Sequence, residues 1–312
     1  MRVPCILSLA LLLVGTVACS DSQEPVEDPA QLRAALASGS PAITAWASTL
    51  LEGTGIAIDP LYAPGGHAGS ATPPRERLRA ARDATRVVLQ GAGFAKWARQ
   101  AALPSSRTVR LIEKGDDGVL MVEERTHAHG AQGEHTHRGA DGHTWLAPTL
   151  AAQQIGVLGN ELAAAFPEYR DQVLERARAL AQDQLAGLGA LRSALGETAP
   201  PQGLGMHGHG YGYLAAAWGG AYAEVDFALD QRLGTSDWNR LRAQLGSDGA
   251  VLLLPTAPTA ELEQQLRDEL RVICVVIEGG AQADEPAAWL AAREQGIAAI
   301  AASFAALFEL RE

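Results

Sequence analysis

The chain has 312 residues, enough for two lobes of ordinary domain size. Apolar residues make up 47%, which excludes disorder for the chain as a whole. The formal charge of -11 repels nucleic acid and anionic lipid surfaces, so neither is expected as a partner, and it suits a cation.

The first segment, 1–18, reads as a secretory signal peptide. Arg2 supplies the positive start, Ile6 to Val14 the short apolar run, and polar residues follow from Ser20 to Glu24. Ala18-Cys19 resembles the lipobox of bacterial lipoproteins, in which the cysteine becomes the lipidated first residue. Thr16 stands where leucine is more usual. The resemblance implies lipidation at Cys19 and an extracytoplasmic, periplasmic protein that meets the membrane only through this anchor. The chain has three cysteines. With Cys5 in the signal and Cys19 lipidated, Cys274 is left as a lone thiol in an apolar run, so no internal disulfide is expected. Residues 19–30 are acidic and contain proline, as a tether does.

From there strand and helix signals alternate. A strand is expected within Leu32 to Ala42, a helix over Ile43 to Leu51, and a short strand over Gly55 to Leu61. Pro64-Gly65-Gly66-His67 reads as a loop. Thr72-Pro73-Pro74 opens a helix reaching about Asp83, with Thr as cap and Pro in the first turn. Thr85 to Gln90 reads as a buried strand, Phe94 to Ala102 as a helix, and Arg107 to Leu111 as a strand. The His- and Gly-rich stretch 124–144 reads as a long surface loop, followed by a helix over Pro148 to Ala165. From Glu168 to Leu195, Val173, Ala177, Leu180, Leu188, Leu191 and Leu195 form one apolar stripe on a long helix. Further helices are expected at Tyr211 to Trp218, Asp237 to Leu245 and Thr259 to Leu270. Strands are expected at Ala250 to Leu254 and Val272 to Ile277, and a closing helix, in one or two pieces, at Pro286 to Leu310. The alternation argues for mostly parallel sheets flanked by helices.

All eight histidines fall in segments read as loops. His127, His129, His135 and His137 cluster; His143 follows; His207 and His209 flank one glycine; His67 stands apart. Imidazole suits zinc, copper and nickel, and several imidazoles hold an ion only if the fold gathers them. The 127–137 group lies on a backbone expected to be too flexible for a fixed tetrahedron, so it reads as an auxiliary gatherer of ions.

The segments Pro64-Gly65-Gly66-His67, Gln90 to Trp97, Asp141-Gly142 with His143 to Pro148, and Tyr211 to Gly219 follow one another in an order that resembles the cluster A-I solute-binding proteins, the zinc and manganese receptors of ABC importers. His143-Thr-Trp-Leu-Ala-Pro148 is similar to their Asp-Pro-His-x-Trp-Leu-Asp-Pro motif, with Asp141-Gly142 before it and Ala147 in place of Asp. Gln90-Gly-Ala-Gly-Phe-Ala-Lys-Trp97 resembles Asn-Gly-Leu-Gly-x-Glu-x-Trp. Pro64-Gly65-Gly66-His67 resembles the loop supplying the first ligand, and Tyr211-Gly-Tyr-Leu-Ala-Ala-Ala-Trp-Gly219 the stretch after the third. The preceding His-rich loop (124–143) is a mark of the zinc members. The resemblance spans almost all of the chain after the tether, in order. It implies an N-terminal metal-binding lobe over 31–166, one long rigid connecting helix over 167–197, and a C-terminal metal-binding lobe over 198–312.

The resemblance also implies a site in the cleft, with His67 and His143 from the first lobe. The family's third histidine aligns with Gly208, so His207 and His209 both stand as candidates. Its fourth ligand, an aspartate after the last strand, aligns with Glu278. Three imidazoles and a carboxylate favour Zn²⁺ in a closed four-coordinate site; Mn²⁺ prefers more oxygen, and copper is not excluded by affinity. The expected function is capture of Zn²⁺ and delivery to an ABC permease, by a monomer. The alternatives are a periplasmic metal buffer or chaperone working through the His-rich loop, and a zinc hydrolase. The hydrolase has no His-Glu-x-x-His motif to support it, so no enzyme is expected.

Overall fold

The computed structural model describes residues 33–62, 69, 71–123, 127–128, 134–135, 138–207, 209–230, 232–245, 248–277 and 286–310. Residues 1–32, on which the expected signal peptide, Cys19 and the expected tether fall, lie outside them.

The first lobe runs β1 (Arg33–Ser38), α1 (Pro41–Leu50), β2 (Ala57–Pro60), α2 (Arg75–Asp83), β3 (Ala84–Gly91) and β4 (Thr108–Ile112). Its sheet has the order β2-β1-β3-β4 with every pair parallel. Ser40 caps α1 by accepting from the Ile43 N–H at 3.3 Å, and Pro41 fills the first helical position. The expected helix over Phe94 to Ala102 is only a 3₁₀ turn at Lys96–Gln100. Gly93, Ala92 and Ala102 all take positive φ there, which denies a longer helix its ends. The segment read as a loop, together with the three residues before it, carries two short antiparallel pairs. β5 (Met121–Glu123) pairs with β8 (Arg138–Ala140), and β6 (His127–Ala128) pairs with β7 (Glu134–His135).

Next come α3 (Pro148–Ala165) and the 26-residue α4 (Arg170–Leu195), a rod of about 39 Å at 1.5 Å per residue. The six apolar positions of its stripe are buried, joined by Gln184. A Cβ at Gly159 of α3 would stand 2.6 Å from that of Ala177, so glycine permits this close helix crossing.

The second lobe runs β9 (Gln202–Met206), α5 (Gly212–Trp218), β10 (Tyr222–Val225), α6 (Thr235–Gln244), β11 (Ala250–Leu254), α7 (Ala260–Leu270), β12 (Val272–Val276) and α8 (Pro286–Glu309). Its sheet, β10-β9-β11-β12, is again all parallel and repeats the strand order of the first lobe. The fold is therefore α/β with two parallel-sheet lobes flanked by helices, joined by a long helix. β9 and β10 were not expected from the sequence, and α8 is one continuous helix.

One hydrophobic cluster joins the lobes. Trp46, Trp145, Leu191, Tyr213, Trp289 and Phe304 belong to it, and Trp46 of α1 meets Trp289 of α8 edge to face at 6.4 Å. Smaller clusters cover the outer faces of each sheet. A shared core favours a cleft of fixed geometry over two freely hinged bodies.

Candidate metal centre

In open parallel sheets ligands gather beyond the carboxyl ends of the strands, where the strand order reverses. Here the reversals lie between β1 and β3 and between β9 and β11. The chain leaving β9 carries His207 and His209. The segment leaving β2 carries His67, and Glu278 directly follows the β12 region. His67 and Glu278 lie outside the described residues, as do His129 and His137. Of His127 and His135 only the backbone is described, and they face each other as Cα partners on the β6–β7 ladder.

A turn, not a helix or strand, holds His143. Asp141 Oδ1 accepts the His143 backbone N–H at 3.0 Å and lies 2.7 Å from Nδ1 of the same ring. With the Nδ1 proton directed at the carboxylate, Nε2 keeps its lone pair for a metal. The ring is held edge to face by Phe94 at 5.5 Å and Trp145 at 5.1 Å. Gly142 is needed between them: a Cβ there would fall 2.6 Å from Phe94 Cα.

Beneath His143 lies a buried polar network. Gln90 Nε2 donates to Thr144 Oγ1 at 3.1 Å and to Gln154 Oε1 at 2.6 Å. Gln154 Nε2 donates to the same Thr144 oxygen at 2.7 Å, and Ser40 Oγ donates to Gln90 Oε1 at 2.8 Å. The ends of β1 and β3 are thereby tied to the residue after His143. Pro148 has no N–H to offer the Trp145 carbonyl. Arg293 of α8 donates to that carbonyl instead, from Nε at 3.3 Å. Burial lowers Arg293 to about 10, so it remains charged at neutral pH.

The second lobe closes on this turn. Gly210 has φ +69°, and a Cβ on it would stand 2.8 Å from His143 Cγ and 3.1 Å from Nδ1. The backbone beside His209 therefore lies directly against the His143 ring. Tyr213 locks the contact: its hydroxyl donates to the Asp141 carbonyl at 2.6 Å and accepts the Leu120 N–H at 3.1 Å. Burial raises the Tyr213 phenol far above its ordinary range, with the Asp141 charge acting the same way, so it is a neutral donor. The His209 ring stacks on Tyr211 at 5.5 Å with 15° between planes. His207 is more exposed. Its Nδ1 lies 2.6 Å from Glu224 Oε2 on β10, and its backbone N–H donates to the Val225 carbonyl at 3.0 Å.

Of the expected ligands, the described structure thus brings His143 and the His209–Gly210 segment together and pairs His207 with Glu224. Among the described residues no three His, Cys, Asp or Glu side chains stand close enough to share an ion. The support that Asp141, Tyr213 and Glu224 give is a finding of the structure. Asp141 was detectable, since a carboxylate two residues before a histidine is a local signal. Glu224 was not, because its place depends on the pairing of β9 with β10.

The sequence pattern of the family described as ZnuA, "Zinc-uptake complex component A periplasmic", matches residues 41–303. No curated protein sequence matches the chain. Among solved structures, Zn(II)-bound AdcA from Streptococcus pneumoniae is similar at TM-score 0.63 and 15% identity. That likeness covers 86% of this chain, which spans only 57% of AdcA. The metal-dependent lipoprotein YcdH from Bacillus subtilis is similar at TM-score 0.67 and 13% identity, over 86% of this chain and 97% of that one. FpvC from Pseudomonas aeruginosa in complex with Ni²⁺ is similar at TM-score 0.64 and 16% identity, over 87% and 97%. FpvC has also been solved in complex with Mn²⁺.

Proposed function

The chain belongs to the ZnuA family of periplasmic zinc-uptake components, and from that premise we propose that it captures Zn²⁺ between its lobes and delivers it to the permease of an ABC importer. Members of this family are metal-binding solute-binding components and not enzymes. His143, with Nδ1 engaged by Asp141 and the second lobe packed on its ring through Gly210, is the observation that carries the reading.

The ligands are His143 and His67 from the first lobe, His209 from the second, and Glu278. His209 is preferred to His207 because its neighbour Gly210 touches His143, whereas His207 is exposed at the end of β9. Three imidazoles and one oxygen complete a tetrahedral shell for Zn²⁺ and supply too little oxygen for Mn²⁺. The imidazoles bind in their neutral form, so uptake releases protons and weakens in acid. His127, His129, His135 and His137 gather ions near the cleft, and a lipid on Cys19 keeps the protein at the membrane. No helix among the described residues is long and apolar enough to cross it.

Isothermal titration of chelator-stripped protein with Zn²⁺ tests the proposal. One site tighter than micromolar is expected, lost in His143→Ala and His209→Ala and kept in His207→Ala. Deleting residues 124–138 leaves that site intact. Tight binding that disappears with the deletion would overturn the cleft assignment in favour of a buffering loop.

A further inference from the structure

The chain contains only two lysines, Lys96 and Lys114, among its 25 basic residues, and they line the same cavity. It holds about 780 Å³ and lies beyond the carboxyl ends of β3 and β4, walled on one side by Gly139 of β8. Arg99 and Arg110 bring the cations that line it to four, with Glu113 as the single lining carboxylate. In a chain of net charge -11 this is a strongly inverted local field. All five charged side chains lie on exposed residues around a concave floor to which Leu89, Ala92, Ala95 and Ala98 contribute.

We propose that this cavity, lined by none of the expected metal ligands, binds a small organic polyanion of the polycarboxylate class. Three features fit that class. Guanidinium forks pair bidentately with carboxylates, as they do with phosphates, and ammonium groups add point charges that tolerate several orientations. The volume falls in the range of about 300–1,000 Å³ typical of small-molecule sites. Its apolar floor suits a carbon skeleton better than a bare inorganic oxyanion. The backbone adapts to the cations: Gly93 takes φ +81°, and a Cβ there would crowd Lys114 Cε at 3.0 Å.

The test is titration of citrate into chelator-stripped protein at low ionic strength, followed by calorimetry. Saturable one-to-one binding is expected, weakened by at least about tenfold in the Lys96→Gln/Lys114→Gln double variant, since each charged hydrogen bond lost is worth about that factor. Arg110→Gln is a second variant and weakens citrate in the same direction. Both should melt as the parent does, because the changed side chains are exposed. Inorganic phosphate should bind more weakly than citrate. Because no metal is present, the result stands apart from the zinc titration. The proposal is overturned if citrate fails to saturate by about 10 mM, the millimolar limit of weak binding. It is equally overturned if the variants bind citrate as the parent does, or if phosphate binds as tightly as citrate.

Discussion

Gly210→Ala adds one methyl group where the second lobe rests on His143. Its Cβ would lie 2.8 Å from His143 Cγ and 3.1 Å from Nδ1, against the roughly 3.5–4.0 Å of an unstrained carbon contact. Relief needs a displacement of about an ångström in the ring or in the loop carrying His209. The positive φ of +69° adds a backbone cost of about 1–2 kcal/mol, and the overpacking about 1–3 kcal/mol. Gly53→Ala separates the two, because Gly53 has φ +75° and nothing within 4 Å of the added Cβ. Urea unfolding of the metal-free proteins should show both variants destabilised, Gly210→Ala by the larger amount. Zinc–nitrogen bonds tolerate only about 0.2 Å of error. Zinc affinity should therefore fall at least about tenfold in Gly210→Ala and stay unchanged in Gly53→Ala. Equal zinc affinity in the two variants would refute the placement of the metal at this contact. Equal stability would refute the clash.

Asp141→Asn keeps a side-chain oxygen for the His143 N–H but removes the carboxylate facing Nδ1. Zinc affinity should drop about 10–100-fold in calorimetry with little change in melting temperature. Gln90→Leu leaves Thr144, Gln154 and Ser40 short of buried partners and should cost about 2–4 kcal/mol in urea unfolding; a loss within error would deny the network a structural role. Burial pushes the Cys274 thiol up to about 12, with Glu263 adding to the shift. The folded chain then holds a proton that the unfolded chain gives up, so this group's contribution to stability falls as pH rises from about 9 towards 12. At pH 8.5 iodoacetamide should label the Cys274 peptide far more slowly in native than in urea-unfolded protein. Equal rates would contradict that burial.

Elements whose own residues bury a face were legible along the chain. The stripe from Val173 to Leu195 has the helical period, and Ala250 to Leu254 and Val272 to Val276 are short, β-branched or leucine-rich apolar runs bounded by turn residues, as buried strands are. The histidines and their order were legible too, because imidazole is recognisable wherever it stands. β9 was not, because Gln202–Met206 is a strand by what it lacks. Gly203 and Gly205 leave room for Trp218, Tyr211 and Tyr222, and a Cβ at either would strike those rings or Ala215 at 2.6–2.9 Å. That strand sets the departure point of His207 and His209, and with β10 it brings Glu224 to His207. The sequence by itself determined where the imidazoles stand along the chain and which apolar segments build the buried strands and the long helix. Only the tertiary structure decided which histidine faces which. The contact between Gly210 and His143 is made across two lobes whose approach depends on one shared core, and no local periodicity encodes that distance.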